Sequence, residues 1–316
     1  MKIAKKIGKI SLIVLLSLIG LLVLVWGGLN LAKFGIYAEY YSIKTDVCDN
    51  PGLNDGFVCQ GITYVEEEEK ILVSGYMTND SASRIYVTDK QDNSYYVTIK
   101  KTNGNDFTGH AGGIAYCGDT VYVANGNAVH ILSLADILTA KDGGSVTIAS
   151  KVTVNNAASF IYADETYLYV GEFHDGGKYN IQGHEFNGNH AIVERFAIAT
   201  FPSSGEGTPD RIYSIPNKVQ GFCVTPDGKM IMSTSYGLTD SHYYVYGEAD
   251  AYESGETFNG TSVYYLGDCK RDVKGPAMAE GLDYMDGKVI TLTESASNKY
   301  IFGKLFFANQ IVGLQF

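Results

Sequence analysis

An all-β repeat fold is predicted by three features of the sequence. The first is a recurring unit of apolar strand, tight polar turn and second apolar strand: Gly112-Gly113-Ile114-Ala115-Tyr116, a turn at Cys117-Gly118-Asp119, then Thr120-Val121-Tyr122-Val123-Ala124. The second is its recurrence at Gly61, Ser159, Gly221 and Gly281, with successive starts 52, 46, 62 and 60 residues apart. The third is composition: 24 Tyr, 36 Gly and 6 Pro among 316 residues suit short strands and tight turns better than helices. Four-stranded sheets repeating at about 40–50 residues are the signature of a β-propeller. The prediction is a five-bladed β-propeller, with six blades as the alternative, behind an N-terminal transmembrane helix.

The N-terminus comes first. Lys2, Lys5, Lys6 and Lys9 precede an uncharged run from Ile10 to Ala32. Those 23 residues span roughly 34 Å as a helix, enough to cross a bilayer. Trp26 is suited to anchor at an interface, and the basic flank favours a cytoplasmic N-terminus. Residues 1–33 are therefore expected to be a cytoplasmic tail and single-pass anchor, with the C-terminal part extracellular. A cleaved signal peptide is the rival, and Asn30-Leu31-Ala32 is a poor cleavage site for it.

Residues 34–57 are read as a closing strand and linker, and 58–316 as the propeller. Blade 1 continues through Arg84–Thr88 and Tyr95–Ile99. Blade 2 continues through Ala128–Leu132 and Val146–Ala149, with Leu134–Leu138 a short helical turn. Blade 3 adds Ala191–Phe196 and Arg211–Ile215, and blade 4 His242–Tyr246 and Ser262–Leu266. Blade 5 ends on a third strand, Gln310–Leu314. Residues 37–46 are expected to supply its missing fourth strand and close the ring, because an unclosed ring exposes sheet edges. Cys48 and Cys59 flank that closure and are expected to pair as a disulfide, worth about 3 kcal/mol for so short a loop. With five Cys, one stays unpaired, and Cys223 in an inner strand fits that role.

Charge narrows the partners. Five of the 24 Lys and Arg lie in residues 1–33, so residues 34–316 carry 19 basic against 35 acidic side chains. That excess argues against nucleic acid and suits an exported surface. The run Glu66–Glu69 reads as a solvated turn.

Antiparallel strands put the start of each first strand and the end of each second strand on one face, around the central opening. Loops converging on such a mouth are where ligands bind. The candidates before the first strands are Gln60, His110, Gln220 and Glu280. Those after the second strands are Tyr76, Asn125, Asn127, Glu172, His174, Asp175, Tyr236 and Glu294. Glu280 could hold a metal ion or act as a base, and His110 or His174 could accept a proton. Gln60 and Gln220 recur at equivalent positions and suit hydrogen bonding around the ring. Two loops are long, Glu172 to His190 and Glu294 to Asn309, and long loops on one face of a regular scaffold suggest recognition. Gly-x-Ser-x-Gly, P-loop, Gly-x-Gly-x-x-Gly, His-Glu-x-x-His and EF-hand patterns are all missing.

The run x-Gly-apolar-x-Tyr before a turn and an apolar strand resembles NHL-type and gluconolactonase-like propellers. The segment Glu294-Ser-Ala-Ser-Asn-Lys-Tyr300, with Asn309-Gln310-Ile311 after it, resembles exported bacterial propeller proteins. The likeness covers residues 58–316. It implies a divalent cation, calcium in many gluconolactonase-like enzymes, held at the mouth by acidic and Asn ligands, and Glu280 matches that placement. Those enzymes usually have six blades. Two functions follow as expectations. One is a binding or scaffold module for an extracellular small molecule, glycan or protein. The other is a metal-dependent lactonase- or esterase-like hydrolase.

Overall fold

A computed structural model describes residues 2–181, 183–300, 302–306 and 308–316, and the side chains of all of these but 2–5, 305 and 306. It begins with helix α1 (Lys2–Ile36) and a short helix α2 (Ala38–Ile43), followed by strand β1 (Lys44–Asp49). A segment of α1, Lys6–Ile36, is long and apolar enough to cross a membrane; a signal sequence passes the same test.

Five blades follow. Blade 1 holds β2 (Phe57–Val65), β3 (Lys70–Met77), β4 (Arg84–Thr88) and β5 (Tyr95–Lys100). Blade 2 holds β6 (Gly113–Cys117), β7 (Thr120–Asn125) and β8 (Ala128–Ser133); helix α3 (Leu134–Thr139) and β9 (Gly144–Thr147) then precede its fourth strand, β10 (Ser150–Thr153). Blade 3 holds β11 (Phe160–Ala163), β12 (Tyr167–Gly171) and β13 (Ala191–Ala197), then β14 (Gly205–Glu206) before its fourth strand, β15 (Arg211–Ile215). Blade 4 holds β16 (Val219–Val224), β17 (Lys229–Thr234) and β18 (Ser241–Gly247), then a hairpin of β19 (Tyr252–Phe258) and β20 (Thr261–Tyr265) before β21 (Arg271–Gly275). Blade 5 holds β22 (Ala279–Met285), β23 (Lys288–Thr293) and β24 (Gln310–Leu314). Its fourth strand is β1, antiparallel to β24, with Lys44 opposite Leu314 and Asp49 opposite Gln310. The two ends of the chain thus share one sheet. The closing strand starts later than expected, because residues 38–43 are helical and only 44–49 extend.

The axis explains the repeated glycine. The inner strands β2, β6, β11, β16 and β22 pack side by side in a ring. A Cβ on Gly61 would lie 2.5 Å from Ile114 N, one on Gly113 2.5 Å from Ile161 N, and one on Gly221 2.6 Å from Glu280 O. Neighbouring backbones touch there, and a side chain has no room. Tyrosine fills the wedges between blades, where its ring is buried and its hydroxyl can reach a neighbouring blade. Tyr162 donates to Val224 O at 2.8 Å, and Tyr116 OH accepts from Glu66 N at 3.1 Å.

Two expected fourth strands belong elsewhere. Residues 146–149 were expected to end blade 2 and residues 262–266 blade 4. Instead β9 pairs in parallel with β5 of blade 1, and β20 in parallel with β15 of blade 3. The two-residue β14 likewise pairs in parallel with β10 of blade 2. One rule covers all three: the segment before a blade's fourth strand reaches back and covers the open edge of the preceding blade. Helix α2, which precedes β1, does the same for blade 4, where Tyr40 stacks on Tyr243 and Glu39 pairs with Arg271 at 2.8 Å. The blade 1 connection does it for blade 5, where Asp92 Oδ1 accepts from Asp49 N at 2.7 Å. A strand edge carries unpaired N–H and C=O groups, and each blade is protected by the next.

Cys48 and Cys59 share an apolar cluster but are free thiols, as are the other three cysteines. The Cys59 Sγ faces Asn50 Nδ2 at 3.1 Å and Thr293 O at 3.4 Å. Those two partners satisfy it without the expected disulfide.

Candidate functional site

A cavity of about 530 Å³ opens at the mouth, within the range of about 300–1,000 Å³ common for small-molecule sites. Every blade contributes to its wall. Gln60 and Tyr76 come from blade 1, and His110 and Asn125 from blade 2. Ser159, Phe173, Lys178 and Tyr179 come from blade 3, Gln220 and Tyr236 from blade 4, and Glu294, Lys299 and Tyr300 from blade 5.

The wall is cross-braced. The rings of Tyr76 and His110 stack with centroids 4.5 Å apart. The Lys299 ammonium donates to the Tyr76 hydroxyl and stands 5.0 Å from the Tyr300 ring centroid. Asn125 Oδ1 accepts from His110 N at 2.6 Å and Ala111 N at 3.3 Å, bracing Ala111 in a left-handed conformation with φ 49°. Gln60 Nε2 donates to Glu294 Oε2 at 2.9 Å. Phe173 packs its ring against Tyr179 and Tyr236, joining blades 3 and 4 at the rim.

Burial sets the charges. It pushes the Glu294 carboxyl up to about 7, against the opposing pull of Tyr300, Lys299 and Gln60. Burial, helped by Lys299 and Lys178, pushes His110 down to about 4, so the ring is neutral at pH 7. Glu280 is raised well above the usual carboxylate range, first by burial and then by the nearby Glu294. The cavity wall at neutral pH therefore presents two lysines, a neutral imidazole and a half-protonated carboxyl. It is positive within an acidic domain.

The candidates divide. Gln60, Tyr76, His110, Asn125, Gln220, Tyr236 and Glu294 all line the cavity. Glu280 does not line it: buried beneath, it accepts from Gln220 Nε2 at 3.4 Å. Asn127 is exposed at the β7–β8 turn, where its carbonyl accepts from Val154 N. Glu172 and His174 are buried away from the cavity wall. Glu172 accepts from Ala157 N, Ile192 N and His184 Nε2, the last at 2.6 Å. His174 Nδ1 accepts from Ile181 N at 2.9 Å, which leaves the ring proton on Nε2, and the ring stacks on His190. These groups brace the blade 3 loop, and the structure does not bring His174 together with His110. Asp175 accepts from Gly177 N and Tyr179 N, holding the same loop's turn. Positions 182, 301 and 307 of the two long loops lie outside the described residues.

Calcium at Glu280 does not fit these residues. The Glu280 carboxyl is buried and takes the Gln220 amide at 3.4 Å. Among the described residues no three His, Cys, Asp or Glu side chains converge as a metal site.

The residues missed by sequence reasoning are Lys178, Tyr179, Lys299 and Tyr300. All four lie in the two long mouth loops, so loop length marked the region. Which loop residues turn inward depends on the loop's path, and no period encodes that.

No protein-family model and no curated protein sequence matches this chain. Solved structures align with this chain at a distance. Hydrazine synthase from Kuenenia stuttgartiensis aligns over 75% of this chain and 55% of its own, at 12% identity and a TM-score of 0.40. The chain thus spans about half the length of that protein. The PQQ-bound aldose sugar dehydrogenase from Streptomyces coelicolor aligns over 79% of this chain and 77% of its own, at 16% identity and a TM-score of 0.45. Likenesses this distant carry nothing about chemistry.

Proposed function

We propose that the protein is a membrane-anchored extracellular binding module whose mouth takes a small glycan carrying an acidic or phosphorylated sugar. The single observation behind this reading is the cavity wall: side chains from all five blades, with Lys178 and Lys299 the charged donors among Tyr, Gln and Asn. Lysines attract an anionic group, amides and hydroxyls exchange hydrogen bonds with sugar hydroxyls, and tyrosine rings offer flat apolar faces.

The test is thermal unfolding of the full chain in detergent micelles with sialyllactose or glucose 6-phosphate, against lactose or glucose. A ligand bound only by the folded state raises stability by about 2.7 kcal/mol at one hundred times its dissociation constant. The acidic probes are expected to stabilise, and Lys178→Ala with Lys299→Ala to abolish the effect. Equal stabilisation by neutral and acidic sugars, or none by either, sinks the reading.

A hydrolase is the second reading, favoured by one observation: Glu294, held near neutrality in the cavity wall, has the character of a general acid or base. Turnover of aryl esters or lactones that Glu294→Gln removes, with folding intact, would move this reading to first.

A further inference from the structure

We propose that the mouth face docks flush on the bilayer that carries α1, with Lys299, Tyr300 and Phe302 of the blade 5 loop in the headgroup interface. The proposal rests on α1 spanning that membrane, and three observations carry it.

The first is where α1 leaves the ring. The Tyr37 hydroxyl donates to Asp240 Oδ1 at 2.7 Å, and Asp240 lies in the β17–β18 loop, on the mouth side. Lys33 lines a cleft that runs along β1 and β24 from Lys44 to Thr293, Ala308 and Asn309 at the mouth-side strand ends. Residues Gly303–Phe306, a 3-10 turn in the blade 5 mouth loop, pack against α1. The helix therefore departs from the face on which the cavity opens.

The second is length. The uncharged run ends at Ala32, and its 23 residues are used up in crossing roughly 30 Å of hydrocarbon. The next residue, Lys33, is already buried against the ring. No spacer separates the bilayer surface from the mouth.

The third is the character of the two ends. Beyond α1, five large apolar side chains are exposed among the described residues. Four surround the mouth: Tyr179 (46%), Tyr236 (42%), Leu238 (54%) and Phe302 (68%). Lys299, Tyr300, Phe302 and Lys304 lie together in the blade 5 loop. Aromatic residues with lysine are the usual anchors at a membrane interface. The cavity at the opposite end is lined by Glu66, Glu67, Asp164, Glu165, Glu248 and Asp283, with no basic residue among the described ones. An anionic membrane surface attracts the first end and repels the second. A ligand then reaches the cavity through the headgroup layer.

The test is fluorescence of the full chain in nanodiscs of phosphatidylcholine and phosphatidylglycerol. Trp26→Phe removes the one native tryptophan; Phe302→Trp then reports the rim and Glu67→Trp the far end. Intact mass shows whether α1 is retained. The rim tryptophan is expected to be blue-shifted, quenched by lipids brominated near the glycerol end of the acyl chain, and shielded from aqueous iodide. The far-end tryptophan is expected to show the reverse. Phe302→Trp behaving like Glu67→Trp, or a chain that has lost α1, overturns the proposal. Should Phe302→Trp fail to fold, Leu238→Trp makes the same measurement. The readout needs no cavity ligand, so its failure and the failure of the glycan reading are separate results.

Discussion

Gly281 packs onto Gly61 across the seam where blade 5 meets blade 1: a Cβ on Gly281 would stand 2.9 Å from the Gly61 Cα. The contact lies between parts of the chain 220 residues apart, and it completes the ring of inner strands. Backbone against backbone leaves nothing that can rotate aside. Gly61→Ala, whose Cβ would meet Ile114 N at 2.5 Å, should therefore destabilise the fold by about 1–3 kcal/mol. Thermal unfolding of the variant checks this; an unchanged midpoint means the inner strands can spread.

The repeat that makes this seam was legible because a glycine in four of the five blades, with Ser159 in its place in blade 3, and an alternation every strand are local, periodic signals. Five blades, their inner hairpins and the shared terminal sheet followed from them, and the long N-terminal helix from its uncharged run. The misplaced edge strands had no such signal. Val146 and Val263 sit in runs that look like fourth strands of their own blades, yet β9 and β20 pair with the blade before. Which edge a strand joins depends on where the chain turns back, and a run of apolar residues does not encode it. Glu280 shows the same limit at the site. Its position at the start of an inner strand is correct, but strand direction alone did not reveal that it is buried beneath the cavity wall while Glu294 lines it.

The bond from Tyr37 to Asp240 ties the end of α1 to the mouth rim. Tyr37→Phe removes the donor and little else. A hydrogen bond to a charged group contributes about 1.5–3 kcal/mol, and this one acts locally. Amides of residues 36–43 should exchange with solvent at least about five-fold faster in the variant, with the blades unaffected. Hydrogen exchange followed by mass spectrometry reads it; uniform protection in both proteins would mean α2 is held by Tyr40 and Glu39 alone.

All five cysteines are free thiols, and Cys48, Cys59 and Cys223 are buried. Burial pushes the Cys48 thiol up to about 12, which makes it a poor nucleophile in the folded state. A thiol reagent should label exposed Cys269 first. In denaturant without reductant, the chain should take five labels, against three if Cys48 and Cys59 were joined. Intact mass decides between the two numbers, and three would restore the disulfide that their spacing suggests.

Stability should depend on pH through the Glu294 carboxyl. Its folded-state value, about 7, lies above the ordinary 4.5, so the folded chain holds this proton more tightly than the unfolded chain does. The contribution is fully present below 4.5 and is lost as pH rises toward 7. Glu194, at about 7, and Asp283, at about 6, act in the same direction. His110 and His130, pushed down to about 4 by burial, oppose them. For these two the unfolded state takes up protons first, so their effect is confined to pH below 6.5. Glu294→Gln keeps the Gln60 contact within reach of an amide oxygen and removes the titration. Relative to the parent, the variant should gain stability from about pH 5 to about pH 8, by at most about 3 kcal/mol. Thermal unfolding of both proteins across that range measures it. A constant difference would show Glu294 ionised as in water. The mouth would then be less positive than its geometry requires, and the preference for acidic sugars would weaken with it.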